Sequence, residues 1–146
     1  MVKPNDIYDA LMKPFEAKHI QWRAGKIIGG KAMALGYIDA RQVMKRLDAV
    51  MGFDMWQCRH TVTEAGINIC DIGLKLNDEW VWKSNGAGET NFEGEKGAFS
   101  GAFKRAAVVW GIGRYLYYLP KQYVAYANDK FTETPQLPKW AIPEEN

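Results

Sequence analysis

The chain has little of what catalysis or covalent bracing needs. Its 146 residues include two cysteines and two histidines. Cys58 and Cys70 form no CxxC pair and have no third cysteine, so neither a disulfide framework nor a structural zinc site is expected. They read as buried thiols, with Cys58, His60 and Cys70 the remote alternative for a metal. No GxSxG, HExxH or clustered carboxylates occur, so no catalytic residue, metal or cofactor is expected and the chain reads as a binder, not an enzyme. No uninterrupted apolar run approaches a membrane span, and the charged, amphipathic start is unlike a signal peptide, which implies a cytoplasmic protein. At 47% hydrophobic residues, a chain of this length fills one good core and not two.

Acid is missing from two windows. Between Glu16 and Asp39 stand Lys18, Arg23, Lys26 and Lys31, and between Glu95 and Asp129 stand Lys96, Lys104, Arg105, Arg114 and Lys121, with no carboxylate in either. These windows hold nine of the 19 lysines and arginines, so the remainder is net acidic although the whole carries +2. Such segregation is the footprint of a protein that binds a polyanion along one surface. The same windows carry Trp22, Tyr37, Trp110, Tyr115, Tyr117 and Tyr118. Aromatics can stack on unpaired bases while cations follow phosphates, although Trp110 and at least half of these tyrosines are expected in the core.

Periodicity places these windows on an α+β framework. Pro4 to about Phe15 reads as an amphipathic helix with Ile7, Leu11 and Phe15 on one side, and residues 18–38 as a hairpin or extended arm broken at Gly25 and Gly29-Gly30. Asp39 with Gln42 resembles a capping box, Val43, Leu47, Val50 and Met51 form the stripe of the following helix, and Gly52 stops it. Three strands then alternate as an antiparallel meander, with turns at Glu64-Ala65-Gly66 and Asn77-Asp78 and a bulge expected between Ile69 and Cys70. Arg59, Lys75 and Lys83 are expected on its outer face, and His60 on the apolar face as a satisfied core histidine. Lys96 to Leu119 reads as a long helix burying Phe99, Ala102, Phe103, Ala106 and Trp110. Its other side carries Gly97, Ser100, Gly101 and Lys104 beside Arg105, a nearly bare backbone open to close packing or to a ligand. Residues 1–127 form the folded domain, and 128–146 read as a flexible proline-rich C-terminal tail.

Two stretches imitate nucleotide motifs. Gly25 to Lys31, GKIIGGK, satisfies GxxxxGK, but Ala32 stands where a serine or threonine should ligate magnesium, and no strong strand precedes it. A nucleotide-dependent phosphotransferase using this loop is the alternative reading from the enzyme class. Gly86-Ala87-Gly88 lies between a strand and a helix, but Asn91 replaces the third glycine of a dinucleotide fingerprint. A third reading is a small interaction module whose basic faces meet an acidic protein.

The succession QWRAGKIIGGKAMALGYIDARQVMKRLDAVMGFDMW, three strands, then EKGAFSGAFKRAAVVWGIGRYLYYLP resembles the Rad52-type single-strand annealing proteins, particularly their short phage and bacterial relatives of the Sak type. The resemblance covers roughly residues 18–120 in several separated blocks. It implies a β-β-β-α core with a three-stranded meander, a β-hairpin arm and a long helix, assembled into a homo-oligomeric ring. It also implies a positive groove for single-stranded DNA and annealing without ATP in recombination and repair, in the cytoplasm or nucleoid of a bacterial host. By motif position, the family's DNA contacts fall on Arg23, Tyr37, Lys104 and Arg105. Eukaryotic members carry a further arginine where this chain has Val108, with Arg114 the candidate replacement. Lys31, Lys96 and Arg114 complete the expected DNA-binding set from the basic windows, and Lys75, Lys83 and Lys96 stand for any second, outer site. A phage exonuclease or a single-strand binding protein is the expected further partner.

Overall fold

The computed structural model describes residues 4–87 and 94–144. In chain order its elements are α1 (Pro4–Met12), β1 (Gln21–Ile28), β2 (Lys31–Tyr37), α2 (Ala40–Met51), β3 (Trp56–Val62), β4 (Asn68–Leu76), β5 (Glu79–Ala87), α3 (Gly94–Val109), β6 (Tyr123–Ala127) and β7 (Lys130–Phe131). Short 3-10 turns lie at Ala17–His19, Arg114–Tyr118 and Lys139–Ala141. The mixed α+β class expected from the sequence is the observed one, and the elements divide between two units, residues up to 13 with 39–114, and 14–38 with 115 onward.

The first unit holds the β-β-β-α core. The Asp39 carboxylate accepts from the Gln42 backbone N–H at 3.0 Å and starts α2, whose Val43 and Leu47 are buried; Gly52, at φ 92°, ends it. Strands β3, β4 and β5 form an antiparallel sheet in that order. Cys70, Ile72 and Leu74 are fully buried on its inner face, and α3 packs over β4 and β5. The bulge expected at Ile69–Cys70 is absent, because the register runs unbroken along both strand pairs. What looks like a slip of phase in sequence is Ile69 lying on the outer face, half-buried beside the gap left by Gly86. On that face Gly73 makes room for Trp82: a Cβ there would sit 2.9 Å from the indole. The Arg59 guanidinium lies 3.9 Å from the centre of a Trp82 ring and pairs with Asp71 at 3.7 Å.

Helix α3 buries Ala102, Phe103, Ala106 and Ala107, and Trp110, just past its end, is also buried, its indole N–H donating to the Ile72 carbonyl at 3.0 Å. Two details differ from the expected faces. Phe99 is 51% exposed, with its ring edge-on to His60, whereas Gly97 is buried, so that glycine serves close packing. The helix also stops at Val109 instead of Leu119, because Gly111 (φ 97°) and Gly113 (φ 74°) adopt backbone that L side chains rarely take. A Cβ on Gly111 would meet Met12 at 2.8 Å and Tyr8 at 3.1 Å, so α1 seats directly on this break. Helix α1 itself ends at Met12, and Phe15 is not on it.

The second unit is the antiparallel sheet β1-β2-β6-β7. Gly29 (φ 54°) and Gly30 (φ 78°) form the two-residue turn that joins β1 to β2, the mirror-type turn whose twist matches a hairpin. The one register slip of this pair lies between Ala24 and Ile27, so the bulge belongs to the hairpin and not to the meander. Ala32, Ala34 and Val124 are buried on one face, where a Cβ on Gly36 would touch Leu119 and Trp22 at 3.2 Å. Beyond residue 127 the chain pairs β7 with β6, and the Gln122 side chain exchanges two hydrogen bonds with the Gln136 backbone (2.8 and 3.0 Å). Pro135 and Ala141 are buried there.

Candidate nucleic-acid interface

A strand alternates its side chains between two faces, so burial of one face fixes the other. In β1 and β2, Trp22, Ala24, Ala32, Ala34 and Gly36 take the buried side. Arg23, opposite Leu35, therefore shares the opposite face with Lys31 and with Tyr37, which stands opposite Gln21. Three expected DNA contacts spread over the first basic window are thereby brought to one side of one hairpin. Gly25 keeps the surface between them low, since a Cβ there would lie 3.2 Å from the Leu35 side chain and 3.3 Å from that of Met33. Arg23 and Lys31 are exposed and Tyr37 is half-buried. The GKIIGGK stretch is this bulged hairpin, and β2 follows it where a phosphate loop would require a helix N-terminus.

Of the second basic window, Lys96, Lys104, Arg105 and Arg114 lie on the other unit, while Lys121 falls in the unit of the hairpin. Lys104 and Arg105 are neighbours on α3, Lys104 half-buried and Arg105 exposed, both off the stripe that covers the sheet. Lys96 is in the first turns of the same helix, and its side chain lies outside the described residues, as does Gly88 of the GxG look-alike. Arg114 is engaged within its own unit. Its Nε donates to the Val108 carbonyl (3.0 Å), Nη2 to the Val109 carbonyl (2.8 Å) and Nη1 to the Tyr8 hydroxyl (2.8 Å), which makes it a cap on the C-terminus of α3. Lys83 is not on the outer face with Arg59 and Lys75. It pairs with Ile72 and so points to the helix side, with its ammonium 5.0 Å from the centre of a Trp110 ring.

The sparse reactive groups sit on the inner face of the meander. His60 shares its Nδ1 with the Asn68 Oδ1 at 2.8 Å, as a satisfied structural histidine does. Cys70 is buried, but Cys58 is exposed, contrary to the reading of two buried thiols. A hydrogen bond from the Cys70 thiol holds the Cys58 pKa down at about 6, with His60 assisting and partial burial opposing. Giving that hydrogen bond, and burial, push Cys70 far above the usual thiol range. Among the described residues no group of three or more histidine, cysteine or carboxylate side chains is placed to hold a metal ion.

Two side chains that sequence reasoning missed reach the hairpin's open face from the far end of the chain. Tyr123 stands directly opposite Met33 across β2 and β6, and Lys130 stands opposite Ala127 across β6 and β7. Periodicity alone could not place them, because their face is set by pairing with a strand some 90 residues away.

Comparison with known proteins gives a consistent result. The profile of the family described as Rad52/22 family double-strand break repair protein matches residues 3–134. A protein of Deinococcus deserti named single-stranded DNA-binding protein DdrA is 39% identical, the match covering 98% of this chain and 73% of that protein. The protein of the same name from Deinococcus radiodurans is 34% identical over 98% of this chain and 71% of its own length.

Proposed function

The chain belongs to the Rad52/22 family of double-strand break repair proteins, and on that premise we propose that it binds single-stranded DNA and anneals complementary strands in recombination and repair. Arg23 and Lys31 on the hairpin, and Lys104 and Arg105 on α3, take phosphates, with Lys96 and Arg114 adding to the local positive potential and Tyr37 orienting the strand. A backbone held by its phosphates leaves the bases free to pair, so a second strand zips on without ATP and the duplex supplies the driving force. The function is one of binding and not of catalysis, residues 1–127 together with β7 carry it, and the working form is a homo-oligomeric ring joined in part through sheet edges. We place its origin in a phage and its action in the cytoplasm or nucleoid of the host, beside a nuclease or a single-strand binding protein.

The observation that carries this reading is the alignment of Arg23, Lys31 and Tyr37 on one face of the hairpin that bears no carboxylate. Annealing of complementary oligonucleotides tests it. Wild type should anneal without nucleotide, and its affinity for single strands should fall with salt at a log–log slope of roughly −0.7 per phosphate contact. Lys104→Ala with Arg105→Ala should abolish annealing while the oligomer persists, and Lys31→Ala should weaken binding only modestly. An ATP requirement lost in Lys31→Ala, a double variant that anneals like wild type, or only a 16.6 kDa species in light scattering would each refute the corresponding part.

A further inference from the structure

We infer that Tyr123 is a base-stacking residue on the open face of the four-stranded sheet, with Lys31 and Lys130 as the cations beyond it, level with Ala125 and Ala127 of the same strand; this rests on the single-stranded DNA reading above. The register carries the argument. Across β2 and β6, Ala32 faces Val124 and Met33 faces Tyr123. Ala32 is fully buried and Val124 is 7% exposed, so alternation turns Tyr123 to the face that also holds Arg23, Lys31 and Tyr37. The residue is 41% exposed. The contrast with Tyr126 on the same strand is direct: that ring lies on the buried face and packs edge-on against Phe131 at 5.2 Å. Among the described residues Tyr123 has neither an aromatic neighbour nor a hydrogen-bond partner for its hydroxyl, and its register partner Met33 has its terminal methyl over Gly25 on the β1 side.

The surroundings fit an unpaired base and its phosphates. Lys31 is two residues before Met33 on the same face of β2, and Lys130 extends that face from β7 through its pairing with Ala127. No aspartate or glutamate occurs among the strand residues of this face. Tyr37 lies four residues from Met33 along β2, roughly 13 Å at the usual rise of a strand. The face thus carries two aromatic stations with cations between and beyond them, the pattern of a surface that holds a single strand by stacking and charge together.

Fluorescence anisotropy with two labelled strands of equal length tests the assignment, one oligothymidylate and one with abasic sites in place of every base. Tyr123→Leu should weaken binding of oligothymidylate by roughly five- to a hundred-fold, the usual worth of one stacking contact, and leave the abasic strand within about two-fold of wild type. Tyr123→Phe should bind both like wild type, since the ring and not the hydroxyl does the work. Lys130→Ala should weaken both strands alike and flatten the salt dependence by roughly 0.7 in log–log slope, one phosphate contact. If Tyr123→Leu binds oligothymidylate like wild type, or loses both strands equally, the stacking role is overturned while the DNA-binding reading stands. If wild type binds neither strand, the DNA-binding reading itself fails.

Discussion

Arg114 separates a structural from a DNA-binding cation most sharply. Its guanidinium donates to the last two carbonyls of α3 at 3.0 and 2.8 Å and to the Tyr8 hydroxyl at 2.8 Å, and thereby joins the helix end to α1. Hydrogen bonds from a charged donor are worth about 1.5–3 kcal/mol each, and a cation at a helix C-terminus adds about 0.3–1 kcal/mol. Water can replace part of this at a half-buried site, so Arg114→Ala should cost roughly 2–4 kcal/mol in total, well below the sum of its parts. For a domain of this size each kcal/mol moves the melting midpoint by roughly 3 °C, which predicts a fall of about 6–12 °C. Arg114→Lys keeps the charge but not the fork that reaches three acceptors, and should recover less than half of the loss. Urea unfolding gives the free energies, and binding of oligothymidylate at a temperature where both variants are folded gives the second readout, expected within about three-fold of wild type. A variant as stable as wild type that has lost its DNA affinity would refute the capping argument and return Arg114 to the DNA contacts.

Gly73→Ala should destabilise the meander by about 1–3 kcal/mol, the usual cost of overpacking, because its Cβ would press on the Trp82 indole at 2.9 Å. The penalty should vanish in a Trp82→Ala background, and an equal cost in both backgrounds would exclude this cause. Cys58 should react with iodoacetamide at neutral pH. A thiol depressed to about 6 is mostly anion above that pH and protonates below it, so the rate should rise through a midpoint near 6. Cys70→Ala removes the hydrogen bond that depresses it and should move the midpoint up toward 8.5, the ordinary thiol value; an unmoved midpoint would contradict the assigned cause.

Local chemistry was legible wherever neighbours in sequence decide the outcome. Asp39 and Gly52 bound α2 because a cap needs only its own first or last turn. The meander could be read because its strands follow one another through short turns, and Arg23 and Tyr37 fell on one face because β1 and β2 are a hairpin. The misreadings share a different origin. Lys83 looked like an outer-face charge, but its face is dictated by pairing with Ile72, and its long stem lets a cation sit beside the Trp110 indole. An apolar residue out of phase points to a bulge between Ile69 and Cys70, whereas the extra residue lies in the hairpin between Ala24 and Ile27. The end of α3 depended on backbone at Gly111 and Gly113 that composition does not distinguish from glycine tolerated within a helix. Tyr123 was out of reach, since only its distant partner on β2 tells which way it points.

The pairing of β2 with β6 also sets an order of events during folding. About 85 residues separate the two strands, and closing so long a flexible loop costs roughly 4 kcal/mol in its length-dependent part alone before any hydrogen bond is gained. Most of that loop is residues 39–114, whose contacts are with close neighbours: capped helix, meander, covering helix. Such contacts form early, and once formed they replace a fluctuating tether by a folded insert with a defined entry and exit. The hairpin and β6 are then joined through a folded insert instead of a flexible chain, so core mutations in β4 or α3 should slow the completion of a sheet they do not belong to.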